Sequence, residues 1–213
     1  MKTRSLLAAM ALLGGFATTA NAQEAGTFRP GVGLGINVNS ISNNVLGSKV
    51  GFNIGVKGDY FFTDNLYLGT GLFFNQKGAK TSVEGGKIKE VWNYLELPVH
   101  IGYRHPVSDN VAIFGEFGPY FGYAVSGKYK IGDASTSIFD LKVDEDGEIS
   151  DEGVDIGAKR FNVGLGIHAG VEFSKFQVRL GYDFALTPNF DTFGGLLKKQ
   201  KHGTFTIGAA YLF

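Results

Sequence analysis

Stretches of strict alternation run along most of the chain. In FNVGLGIHAGVEF (161–173), Phe161, Val163, Leu165, Ile167, Ala169, Val171 and Phe173 share one face, and Asn162, Gly164, Gly166, His168, Gly170 and Glu172 share the other. A period of two with unlike faces marks a β-strand. The pattern recurs in VGFNIGVKGDY (50–60), LELPVHIGYR (95–104), FQVRLGYDFAL (176–186) and GTFTIGAAYLF (203–213). It predicts eight strands, over 31–39, 50–61, 66–77, 91–104, 110–125, 159–173, 176–187 and 203–213.

One face is large and apolar throughout; the other is glycine with isolated charges. A soluble sandwich would meet on packed apolar side chains and turn long polar ones to water. Glycine interleaved with charge instead fits the narrow lumen of a small barrel, with the apolar face toward lipid. The strands match the 9–11 residues that a tilted strand needs to cross a bilayer. Closing the sheet pairs every backbone N–H and C=O in a medium that offers no hydrogen bonds. The predicted fold class is therefore all-β: an eight-stranded antiparallel transmembrane up-and-down barrel. FTDN, HPVSDN and SK are short connections, whereas 40–49, 78–90, 126–158 and 188–202 are long. Short periplasmic turns at one end and long extracellular loops at the other fit that fold.

Two turns set registers. Ser174-Lys175 as a two-residue loop places Phe173 opposite Phe176, Val171 opposite Val178 and Gly170 opposite Arg179, with Glu172 diagonal to Arg179. Gly85-Gly86 as a type I′ turn places Glu84 opposite Lys87, and further down Leu72 opposite Val99 and Asn75 opposite Glu96. The third and fourth strands then continue as a ribbon above the membrane. The last strand ends on Phe213, as expected where lipid and the first strand are its neighbours.

The N-terminus supplies the compartment. Lys2 and Arg4, an apolar run from Leu6 to Phe16, and Ala20-Asn21-Ala22 read as a secretory signal peptide over 1–22, with the barrel domain over 23–213. The apolar run is too short for a membrane helix. There is no cysteine, hence no disulfide framework. Net charge is zero, which gives no bulk attraction to nucleic acid. The 32 glycines, beside 19 Phe and 9 Tyr, have no three-residue period, so collagen is excluded. The expected location is a bacterial outer membrane.

NYLELPVHIGYR (93–104) resembles the Tyr-Leu-Glu-Leu/Ile-Pro strand of the PorT-like outer-membrane β-barrel proteins common in Bacteroidetes, which group with porin-family and OmpX-like small barrels. The glycine-rich first strand, GLFFNQKG (71–78) and the terminal Phe213 are similar to that family as well. The resemblance implies a barrel with no catalytic residues to carry over, a tie to secretion or assembly, and a C-terminal strand read by the barrel-insertion machinery.

The inward row holds Lys57, Asp59, Glu96, His100, Arg104, Glu116, His168, Glu172, Arg179 and Asp183. Both signs are present, as a salt-bridge network filling an eight-stranded lumen requires; a pore lining or proton path is the alternative. Pro98 in mid-strand predicts a bulge or kink. No cofactor or metal motif is present: His100 and His168 lie on different strands, outside any short ligand pattern. The acidic stretch with Asp144, Glu145, Asp146, Glu148, Asp151 and Glu152 is a candidate docking loop for a basic envelope partner; it lacks the EF-hand order. Phe190, Phe193, Leu196 and Leu197 beside Lys198, Lys199 and Lys201 could rest on lipopolysaccharide, whose phosphates attract lysine. Trp92, Tyr94, Tyr103, Tyr120, Tyr123 and Tyr211 are expected in interfacial girdles.

The expected function is a non-enzymatic outer-membrane protein, structural or partner-docking, with outer-membrane lipids as surroundings. A narrow pore or small-solute transporter is the second reading and a lipid-modifying enzyme the third; no Ser-His pair shares a strand face. A soluble lipocalin-like barrel would need the apolar row inside.

Overall fold

The computed structural model describes residues 25–42, 47–83, 86–131, 134–140, 142–143, 154–155, 157–190 and 200–213. The signal-peptide segment and all six acidic residues of the candidate docking loop lie outside them. The strands are β1 Phe28–Ile41, β2 Gly47–Phe61, β3 Leu66–Val83, β4 Gly86–Ser108, β5 Val111–Ile131, β6 Ala134–Ser137, β7 Lys142–Val143, β8 Val154–Asp155, β9 Phe161–Phe173, β10 Phe176–Ala185 and β11 His202–Leu212. Strands β1–β5 and β9–β11 form one antiparallel sheet that closes through β4–β5 and β1–β11. This is an eight-stranded antiparallel barrel. β6 adds to the top of β5, and β7 pairs with β8.

Exposure follows the alternation. On β1, Val32, Leu34, Ile36 and Val38 face out, while Gly33, Gly35, Asn37 and Asn39 are buried. Apolar side chains point to lipid because nothing outside can solvate a polar one; backbone polar groups are spent in the ladder. The inward glycines make room for rings. Tyr67 lies over Gly102, Phe114 over Gly170, Tyr120 over Gly164 and His168 over Gly181, in each case the residue directly opposite on the next strand. A Cβ at Gly102 or Gly181 would sit inside that ring's contact distance. The glycine-rich face is thus a set of sockets for inward aromatics as well as for charges.

The Ser174-Lys175 hairpin has the predicted register, with Ser174 at φ 54 in the left-handed region. Two sequence expectations are corrected. Val83 faces Gly86 and Asn75 faces Tyr94, so β3 and β4 are slid two residues from the register that Gly85-Gly86 implied. A slip of two keeps every side chain on its face, which is why the polarity match could not expose it. Of the bulge or kink expected at Pro98, the bulge is absent: Pro98 stays in register opposite Tyr120. The ladders on both sides are interrupted near it, the β3 ladder where Pro98 lacks an N–H, and the Thr70 hydroxyl donates to its carbonyl at 2.9 Å.

On β4 and β5 the pattern reverses near the outer membrane face. Below it, Leu95, Leu97, Ile101, Phe117, Phe121 and Tyr123 are exposed. Above it, Lys89, Lys128 and Lys130 are exposed and Trp92 is buried. A bulge sits at the boundary: Asn93 pairs with Ser126 and Tyr94 with Ala124, leaving Val125 extra. An extra residue exchanges the two faces, turning Gly127 inward and Lys128 outward.

Candidate functional site

All ten predicted lumen residues lie inside the barrel, most of them buried, with Arg104, Arg179 and Asp183 half-buried. At the periplasmic end Glu172 accepts from Arg29 at 3.0 and 2.7 Å, from Arg104 Nε at 3.0 Å and from Gln177 at 2.9 Å. Arg179 does not join it, contrary to the diagonal expected from the hairpin; its guanidinium lies 5.2 Å from the Phe73 ring centroid. One level up, Lys57 donates to Gln177 at 2.9 Å and lies 3.3 Å from Asp59 and 3.7 Å from Glu116. The Tyr67 hydroxyl donates to Glu116 Oε1 at 2.8 Å. His168 Nε2 meets Asp183 at 2.9 Å, and the His100 and His168 rings stand edge to face.

Higher still, Lys77 pairs with Glu96 at 2.5 Å and lies over the Tyr120 ring, 4.6 Å from its centroid. Asn53, Thr206 and Asn75 gather on Asn37 through side-chain hydrogen bonds. A cavity offering about 50 Å³ to water-sized molecules remains among Asp59, Glu96, His100, Glu116, His168 and Asp183. Charges of both signs thus neutralise one another where bulk water is excluded.

The extracellular end is closed by an apolar plug. Trp92, Tyr94, Ala124, Ile138 and Phe190 form one buried cluster, with Tyr129, Phe139 and Ala158 packed against it. Ile138 and Phe139 belong to a short turn of 3-10 helix at Ile138–Asp140, which packs over the barrel mouth. Trp92 Nε1 donates to Glu90 at 2.6 Å, and His202 pairs with Asn189 at 2.9 Å beneath the Trp92 and Tyr94 rings. Burial pushes the Glu90 carboxyl above its ordinary value. Burial first, and the Lys77 ammonium second, push His202 down to about 3.

The plug corrects two readings. Trp92, Tyr94 and Tyr120 are not in a lipid girdle: they share the inward face with Glu96, and only Tyr103 and Tyr123 of the β4–β5 group are exposed. Phe190 is tucked into the plug rather than facing lipopolysaccharide, while Phe193, Leu196, Leu197, Lys198 and Lys199 lie outside the described residues. Sequence reasoning also missed Arg29, Tyr67, Lys77 and Gln177, although Lys77 shares the inward parity of Asn75, and Gln177 that of Arg179.

The closed barrel, its lipid-facing apolar band and its polar lumen define an integral outer-membrane barrel. The chain belongs to the outer membrane protein beta-barrel domain family, whose family model matches residues 20–191. No curated protein matches it significantly. Similar solved structures include Ail of Yersinia pestis in complex with the heparin analogue sucrose octasulfate, at 16% identity, 90% of this chain, 100% of that one and a TM-score of 0.46. OprG from Pseudomonas aeruginosa is similar at 13% identity, 90% and 98% coverage and a TM-score of 0.47. The outer membrane enzyme PagL is similar at 13% identity, 87% and 99% coverage and a TM-score of 0.40.

Proposed function

We propose that this chain is a sealed, non-enzymatic outer-membrane barrel with a structural or partner-docking role. One observation carries this reading: paired charges fill the lumen, and the buried cluster around Trp92 packs across its extracellular end. The PorT-like resemblance extends the proposal to a role beside envelope assembly or secretion in Bacteroidetes, with export by the 1–22 signal peptide. The experiment is conductance in planar bilayers with the purified mature barrel. A silent bilayer is the expected result. Discrete single-channel steps would favour the narrow-pore reading, and altered lipid A after incubation with the barrel would favour an enzyme.

The partner surface we propose is a lysine ladder above the bilayer. Lys80 pairs directly with Lys89, and Lys89 with Lys130, on the outer face of β3, β4 and β5; Lys128 shares that face. Like charges directly opposite one another destabilise a sheet, and no described carboxylate forms an ion pair with these four. From Val125, an exposed apolar residue at the β5 bulge, the ladder stands roughly 8–13 Å higher, taking strand rise and tilt together. That height is at and just beyond the headgroup layer. The phosphates of lipopolysaccharide would supply a counter-charge there. Changing all four lysines to Gln should lower the lipopolysaccharide that co-purifies with the barrel and remove its salt dependence; retention equal to the unaltered protein would end this reading.

A further inference from the structure

His100 on β4, Glu116 on β5 and His168 on β9 reach the lumen at one level from three adjacent strands, and their ligand-capable atoms all lie within 4.8 Å of one another. Nδ1 of each histidine stands 3.8 Å from Glu116 Oε2. That is too long for hydrogen bonds. It is close to the spacing of two atoms bound to one ion: with bonds of about 2.0–2.1 Å, tetrahedral zinc holds its ligands roughly 3.4 Å apart.

The surrounding groups aim those same atoms inward. Asp183 takes His168 Nε2 at 2.9 Å, leaving Nδ1 toward Glu116, which is the carboxylate–histidine arrangement that orients metal ligands. The Tyr67 hydroxyl and the Lys57 ammonium both engage Glu116 Oε1, leaving Oε2 for the histidines. Lys57 is itself balanced by Asp59. His168 Nδ1 is buried without a hydrogen-bond partner, a condition native interiors rarely leave unexplained, and the His100 ring, whose Nδ1 faces Glu116, has its other nitrogen, Nε2, buried and unpartnered as well. The cavity beside them has room for water to complete an ion's coordination.

We propose that His100, Glu116 and His168 bind a divalent transition-metal ion of the zinc class inside the lumen, with Asp183 and Tyr67 as positioning residues. Two imidazoles and one carboxylate suit zinc, cobalt or nickel; calcium and magnesium require an all-oxygen shell. The ion would fasten β4, β5 and β9 together at mid-barrel.

The test uses the mature barrel purified in detergent from outer membranes, treated with chelator and titrated with Co²⁺, then Zn²⁺. One equivalent of Co²⁺ should give visible absorption bands of a protein-bound ion, displaced by one equivalent of Zn²⁺. Zn²⁺ should raise the thermal unfolding temperature, and Ca²⁺ should not. Asp183→Asn, which keeps the shape, should weaken binding about 10–100-fold. His100→Gln with Glu116→Gln should abolish it while heat-modifiable gel migration still reports a folded barrel. A folded, unaltered barrel that gives no spectrum and no Zn²⁺-dependent shift overturns the proposal. Equal binding by the His100→Gln, Glu116→Gln variant does too, since it would place the ion elsewhere.

Discussion

The same strands serve two opposite designs at their two ends. In the membrane, β4 and β5 show lipid Leu95, Leu97, Ile101 and Phe117 and keep Glu96, His100 and Glu116 inside. Above it, the same strands show water Lys89, Lys128 and Lys130 and keep Trp92, Tyr94 and Ala124 inside. The lower part is inverted with respect to a soluble protein; the upper part follows the soluble rule. What differs is the solvent outside: β4 keeps its inward parity throughout while its outward residues turn from apolar to charged, and only β5 changes faces, at the Val125 bulge. The lower interior is held mainly by paired charges and hydrogen bonds, the upper by apolar burial that water drives.

The largest test of that contrast is Glu172→Ala. It leaves Arg29 and Arg104, now paired to one carboxylate, without their main counter-charge. Breaking a buried pair by removing one partner costs about 3–5 kcal/mol. Urea unfolding of the folded barrel in detergent should show a loss of that size, and the whole barrel should unfold earlier, since the network ties β1, β4, β9 and β10.

Trp92→Ala should break the other design. Large aromatic truncations cost about 3–5 kcal/mol in a rigid core. The plug lies at a loop-covered mouth, so part of the loss, down to about 2–3 kcal/mol, should be taken up by local opening. Limited proteolysis should cut near 134–140 much faster, while thermal unfolding of the transmembrane part changes little. A large drop in barrel stability would show that plug and barrel are one cooperative unit.

The plug should also feel acid. His202 is held at about 3 against an ordinary 6.5, so its contribution is complete above pH 6.5 and is lost as pH falls toward 3. Each unit below 6.5 costs about 1.4 kcal/mol, or about 2 kcal/mol at pH 5. Glu90 acts in the opposite sense, because burial favours its protonated form and acid relieves it. The His202 contribution should therefore make proteolysis near 134–140 more acid-sensitive between pH 7 and pH 5 in the unaltered chain than in His202→Gln.

Much of this was legible in the chain. Eight strands, their faces and the inward charges follow from alternation, and the Ser174-Lys175 turn fixed its register because two residues leave no slack. The plug was legible by parity, since Trp92 and Tyr94 share Glu96's face, but residue type suggested a girdle. The bulge was not: alternation read through Val125 puts Lys128 on the wrong face. The meeting of Glu116 with His168 depends on the β5–β9 register, which no short turn sets.

A smaller effect separates the two interiors by their glycines. Gly102 is covered by the Tyr67 ring, fully buried and tied to Glu116 by its hydroxyl, so the ring cannot give way. Gly102→Ala should cost about 1–3 kcal/mol, as overpacking does, and should loosen the Tyr67–Glu116 bond. Gly127 faces the plug, where an added Cβ would meet Ile138 and Phe139 at 3.3 Å. Those two side chains sit on a short turn rather than on a closed ladder, so a shift of a few tenths of an ångström is available to them. Gly127→Ala should change stability by less than about 0.5 kcal/mol, within the range of tolerated substitutions. Paired urea titrations of the two variants compare the interiors at the scale of one methyl group. Equal losses would mean that the plug is as rigid as the lumen, and that water-driven burial above the bilayer sets its geometry as tightly as paired charges do within it.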